Sequence, residues 1–279
     1  MNKQTLNIAS VCIVVLILVF SITQKKQKNE IDNADNISID SSGNKIETKA
    51  DQYKADIIST VSEANIKNFQ DFTQSFKKTD KDNLTDALSK DVFSQYIKYN
   101  TSGTMSEDDI LNVTNNVLNQ STNISNPVGY ADIKISPSNI SSLKIYGNDI
   151  AIIQDSINKG IISIENKSNK IPYLASIYST SARLFTEIDV PESLSSYHIN
   201  IINGYKKYSE GLLMMEKQEQ DPATALLGLN KVKTATDEIL SNFDNIKKAI
   251  ILNKVDYVES DPGFIWISNN PNNTAIKLE

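Results

Sequence analysis

From Gln4 to Gln24 the chain runs for 21 positions without a charged residue. As an α-helix this run is about 31 Å long, close to the ~30 Å hydrocarbon core of a bilayer. A helix satisfies its own backbone groups, which a single segment in lipid must do. Residues 1–24 are therefore expected to form a transmembrane anchor, with residues 4–24 in the membrane. A cleaved signal peptide is the competing reading. Its A-x-A cleavage pattern is met only weakly by Ser21 and Thr23, and the apolar run is long for a signal peptide.

Orientation rests on two opposed signals. Lys3 lies on one side of the run, and Lys25, Lys26 and Lys28 lie on the other. A positive-inside count alone favours a cytoplasmic body. The short head and the long polar stretch after the run favour export, and on these the body is expected to be extracytoplasmic, in a single-pass protein. Residues 29–279 hold 24 basic against 34 acidic side chains, a net charge of −10. Such a body repels phosphate backbones, so no nucleic-acid partner is expected.

Residues 25–52 are polar, with scattered Ile and no period, and read as a flexible stalk. Helical periodicity then takes over. A small N-terminal helical unit over 53–120 is expected to carry three helices. The first (55–77) shows Ile58, Val61, Phe69, Phe72 and Phe76. The second (83–99) has Leu84, Leu88, Val92 and Tyr96, and the third opens at Ser106. Residues 121–136 break the pattern and read as a linker.

Residues 137–268 read as an antiparallel helical bundle. Ile140, Leu143, Tyr146, Ile150, Ile153 and Ile157 recur at steps of three and four, and Leu174, Ile177, Tyr178, Leu184, Phe185 and Ile188 repeat the one-faced pattern nearby. A third stripe runs Leu194, His198, Ile201, Tyr205, Tyr208, Leu212 and Met215, behind Pro191 in an expected first helical turn. Asp221 and Pro222 read as N-cap and first residue of a last long helix, which reaches about Leu252. Short connections imply antiparallel neighbours. Residues 255–258 and 264–267 flank a Pro-Gly pair and suggest a short C-terminal β-hairpin lying on a helix. Residues 269–279 read as a disordered tail. The expected class is mainly all-α.

The segments NLTDALSKDVFSQYIKYNTSG (83–103), SLKIYGNDI (142–150), VPESLSSYHINIINGYKKYSEGL (190–212), DPATALLGLNKVKTATDEIL (221–240) and SDPGFIWIS (260–268) carry a resemblance. Their order and content resemble an uncharacterised family of single-span, mostly helical envelope proteins of bacteria with very small genomes. The resemblance implies an anchored helical body. The family carries no assigned activity, so it supplies no catalytic residues.

Chemistry-bearing residues are few. The chain has one His and one Cys, which excludes a Cys/His zinc site within it. A Ser/His/Asp triad would have to use His198. Cys12 lies inside the apolar run, so the body has no disulfide. Carboxylates gather at Glu187, Asp189 and Glu192, and again at Glu216, Glu219 and Asp221, at helix ends where acids cap or solvate. No catalytic residue, cofactor or metal is expected, and the chain reads as a non-enzyme.

The expected role is a binding or scaffold component of the cell envelope with a protein partner there, a surface pilus or secretion apparatus being one setting. The alternative is a small-ligand or peptide-binding module. Its groove would lie between the 190–218 and 222–252 helices and use Tyr197, His198, Tyr205, Tyr208 and Trp266. For each of these five the competing reading is core packing, because their spacing equals the helix repeat or, for Trp266, because a large aromatic gains most by burial.

Overall fold

The computed structural model describes residues 48–62, 65–66, 83–86 and 124–268. The expected anchor (4–24), the stalk up to residue 47, most of the helices over 63–120 and the tail 269–279 lie outside the described residues. Among the described residues 73% are helical and 4% extended, which makes the class all-α.

The first helix, α1 (Lys49–Thr60), starts inside the stretch read as stalk and stops well short of residue 77. Ser59 and Thr60 turn their hydroxyls back onto the carbonyls of Asp56 and Ile57 at 2.8 and 2.7 Å. The Ser62 hydroxyl then accepts the amide of Asn65 at 3.3 Å, as a residue opening a new helical turn does. The buried pair is Tyr53 and Ile57, whereas Ile58 of the expected face is exposed.

Residues 121–136 are more ordered than a linker. A 3-10 turn (Tyr130–Asp132) leads into β1 (Lys134–Ser136), which pairs in parallel with β2 (Asp189–Pro191). Ile135 stands opposite Val190. Pro191 therefore ends a strand instead of opening a helix. Proline disfavours helical backbone in the residue before it, so Val190 stays extended. A 3-10 turn (Glu192–Leu194) intervenes before α4 (Ser195–Met215).

Between the two strands run α2 (Ile140–Ser163) and α3 (Ile171–Thr186). The Asn139 side chain caps α2 by accepting the Ser142 amide at 2.9 Å. After α4 comes α5 (Pro222–Leu252), with Asp221 as N-cap and Pro222 in the first turn, as the sequence implies. Leu143, Tyr146, Ile150, Ile153 and Ile157 of α2 are all buried, as are Leu174, Ile177, Leu184 and Ile188.

Contacts along α4 and α5 run in opposite order. Asn200 meets Asn242, Lys207 meets Glu238, and Gly211 meets Gly228. The same holds for α3 and α4, where Ser209 bonds to Ala175 while His198 bonds to Phe185. Along α3, α4 and α5 consecutive helices are thus antiparallel, whereas α1 and α2 run the same way, Lys49 meeting Asp149 and Ile57 meeting Gly160. The glycine pair lets α4 and α5 touch backbone to backbone, since a Cβ on Gly228 would lie 2.5 Å from the Gly211 carbonyl oxygen.

The C-terminal hairpin is not formed. Residues 255–261 are irregular, a 3-10 turn covers Pro262–Phe264, and α6 (Ile265–Ser268) follows. The segment finds its partners on α2. The Tyr257 hydroxyl donates to Leu143 O at 3.2 Å, the Gly263 amide to Asn148 Oδ1 at 2.7 Å, and the Trp266 indole to Gly147 O at 2.9 Å. An isolated hairpin is marginal in water, and side-chain bonds to a packed helix replace it.

Candidate functional site

His198 has no exposed surface, because α4 presents it to α2 and α3. Its Nε2–H donates to the Phe185 carbonyl at 2.8 Å, and its Nδ1 lies 3.0 Å from the Tyr146 hydroxyl. A carbonyl can only accept, so the proton sits on Nε2 and Tyr146 donates to Nδ1. Burial, offset in part by the Phe185 bond, pulls the imidazole from 6.5 down to about 4. This is a neutral, fully bonded core histidine.

Tyr205 and Tyr208, two and nearly three turns farther along α4, are also buried. Tyr178 of α3 lies with its ring centroid 5.7 Å from Tyr205 and 4.2 Å from Tyr208, and Phe185 lies 5.2 Å from Tyr205. Burial pushes the Tyr178 hydroxyl up to about 12. Burial, with Tyr178 beside it, holds Tyr205 far above the ordinary tyrosine range. Tyr205 and Tyr208 therefore pack against the rings of α3, and Phe185 also reaches Phe243 of α5 at 6.4 Å. Tyr197 is half-buried near the start of α4. Trp266 is buried against α2, its ring 6.2 Å from Phe243 of α5. The structure brings His198 and Tyr205 together around Phe185, inside the core; it does not gather the five residues along a groove between α4 and α5.

What does lie between α4 and α5 is an open cleft of about 540 Å³. Asn200, Asn203 and Lys207 line it from α4, Glu238 and Asn242 from α5, and Ile124 and Pro127 close one side. The volume falls within the ~300–1,000 Å³ of ligand pockets. The Lys207 ammonium donates to both Glu238 oxygens at 2.6 and 2.7 Å, which neutralises the floor. Asn242 donates to the Glu238 carbonyl at 2.7 Å, and Asn200 reaches Asn242 Oδ1 at 3.4 Å.

At the rim, Asn203 holds the strap 124–128 by both edges of its amide. It accepts the Val128 amide at 2.8 Å and donates to the Val128 carbonyl at 3.0 Å. Glu210 accepts the Ser125 amide at 2.9 Å, and Lys206 donates to the Asn126 carbonyl. These cleft and strap residues escaped the sequence reading. The spacings 200/203/207 and 238/242 are helical, but any solvated helix face gives the same pattern.

Two of the acids at helix ends, Asp221 and Glu187, have structural duties. Asp221 accepts the Thr224 amide and hydroxyl at 3.2 and 2.7 Å. It also takes the amides of Leu84 and Thr85 at 2.8 and 3.1 Å and the Thr85 hydroxyl at 2.6 Å. Burial would raise its pKa, but the bonds from Thr85, Thr224 and the backbone outweigh that and hold it well below the ordinary 3.8. Glu187 pairs with Arg183. Among the described residues no group of three or more His, Cys, Asp or Glu could hold a metal ion.

Comparison with family models, curated proteins and solved structures returned no match. The fold and cleft define the class: an all-α body whose interior takes His198, Tyr205, Tyr208 and Trp266, with a cleft between α4 and α5 to which both helices turn polar side chains.

Proposed function

We propose that the chain is a membrane-anchored, extracytoplasmic helical protein that serves as a non-enzymatic binding or scaffold component of the cell envelope. The observation that carries this reading is the uncharged run of residues 4–24, followed by a polar stretch and an acidic helical body. No helix among the described residues is long and apolar enough to cross a membrane, so this reading assigns the anchor to that run. His198 and the tyrosines are occupied by core packing, which leaves polar surface rather than buried reactive groups to meet a partner. The resemblance to single-span envelope proteins supports the same setting.

The test is membrane fractionation combined with protease shaving of intact cells. A full-length product that sediments with membranes and is trimmed from outside is the expected result. A free product lacking the apolar run overturns the anchor, and complete protection in intact cells overturns the orientation. Crosslinking in native membranes then asks for a recurrent envelope partner.

A second reading, a peptide- or small-ligand-binding module, is favoured by the cleft between α4 and α5.

A further inference from the structure

We infer that the α4–α5 cleft binds a short, extended, uncharged peptide segment by its backbone, with Asn200 and Asn242 as the reading residues. The inference rests on the binding-component reading above and names the chemical class of what is bound.

The template is intramolecular. A helix interior has no spare backbone groups, because its N–H and C=O groups are committed to the helix. To hold a non-helical segment such as the strap 124–128, α4 must use side chains. It does so at Asn203, whose carboxamide forms a two-point contact with the N–H and C=O of Val128. A carboxamide has the donor–acceptor pattern of a peptide group, so it can complete the bonding of a strand that has no neighbour.

Asn200 stands one turn before Asn203 and faces the cleft. Among the described residues its one hydrogen bond is the 3.4 Å contact to Asn242 Oδ1, which leaves its oxygen and its second N–H available there. Asn242 uses one N–H on the Glu238 carbonyl and keeps the other. Two carboxamides with spare donors and acceptors thus face one cavity, beside a third already bound to backbone.

Length and charge define the ligand. Asn200 and Lys207 are seven residues apart, about 10 Å along the helix, which matches roughly three residues of extended chain. The Lys207–Glu238 pair leaves the floor with no net charge, which disfavours a phosphate or a carboxylate. The wall of Ile124 and Pro127 suits a small apolar side chain. Among the described residues no aromatic ring lines the cavity, so a sugar lacks the flat face on which it is usually seated.

The full chain in detergent micelles, labelled with ¹⁵N-asparagine, is titrated with acetyl-Ala-Val-Ala-amide and, separately, with chitotriose. The expected result is saturable movement of the Asn200 and Asn242 side-chain amide signals with the peptide, while Asn253 stays still. Asn200→Leu, at an exposed position that leaves the fold intact, weakens binding about tenfold or more, the loss of one or two hydrogen bonds. Asn242→Leu does the same, with helicity checked by circular dichroism. No saturable movement, unchanged affinity in Asn200→Leu, or a response to chitotriose alone overturns the inference. If the peptide fails while crosslinking in membranes still recovers a partner, the cleft assignment falls and the binding-component reading stands.

Discussion

The Tyr146 hydroxyl donates to Nδ1 of His198 at 3.0 Å while Nε2 of the same ring donates to the Phe185 carbonyl at 2.8 Å, so one imidazole ties α2, α3 and α4 together. The unfolded imidazole titrates near 6.5 and the folded one near 4. Between those values the unfolded chain holds the extra proton, so stability rises with pH across the window. It is complete above about 6.5 and declines as the solution is acidified toward 4, by roughly 3 kcal/mol in all. Urea denaturation at several pH values is expected to show this slope, and His198→Phe to flatten it. Equal slopes in the two proteins would refute the assignment.

Tyr146→Phe removes the donor to Nδ1 and leaves a buried acceptor unpaired. The expected loss is about 1–3 kcal/mol, with little change in helical content. Equilibrium denaturation measures it, and a change within experimental error would show that the bond contributes nothing net.

Gly211 and Gly228 set the spacing of α4 and α5. A Cβ on Gly211 would lie 2.8 Å from both the Gly228 carbonyl oxygen and a Val232 methyl. Alanine is the better helix former by about 1 kcal/mol, yet overpacking typically costs 1–3 kcal/mol. Since the facing backbone is nearer at Gly228, 2.5 Å against 2.8 Å at Gly211, Gly228→Ala is expected to be the more damaging variant. Midpoints of denaturation for the two single variants check both sign and order.

Asp221 caps α5 and also bonds the first turn of the helix that opens at Leu84. Asp221→Ala is therefore expected to cost more than the ~0.5–2 kcal/mol of a single cap. Asp221→Asn, which keeps an acceptor but loses the charge, should cost less. Because its folded pKa is held below 3.8, its contribution is present above about pH 4 and fades as pH falls below that value. The difference between wild type and Asp221→Asn, followed down to acid pH, tests the sign.

Asn203→Leu frees both backbone groups of Val128 from their side-chain partner. Hydrogen exchange at the Val128 amide is expected to accelerate about tenfold, the equivalent of one or two net hydrogen bonds. Amides in the middle of α5 should exchange as before.

The helices after residue 137 were legible in the residues themselves because their signal is local. Apolar side chains three and four apart share a helix face whatever lies opposite, so Leu143 to Ile157 and Leu194 to Leu212 announce buried stripes. Asp221-Pro222 announces a start because a cap needs only its own amides. Three outcomes had no such local cause. The parallel pairing of β1 with β2 joins residues more than fifty positions apart, over three residues with no period of their own. The C-terminal segment took α2 as its partner in place of itself. The direction of the α4 aromatics was decided by which neighbour they met: α3 offered the rings of Tyr178 and Phe185, while the side chains that α4 and α5 turn to the cleft between them are polar. Sequence determined that a stripe would be covered; packing against distant chain decided by what, and so moved the candidate site from the tyrosines to the asparagines.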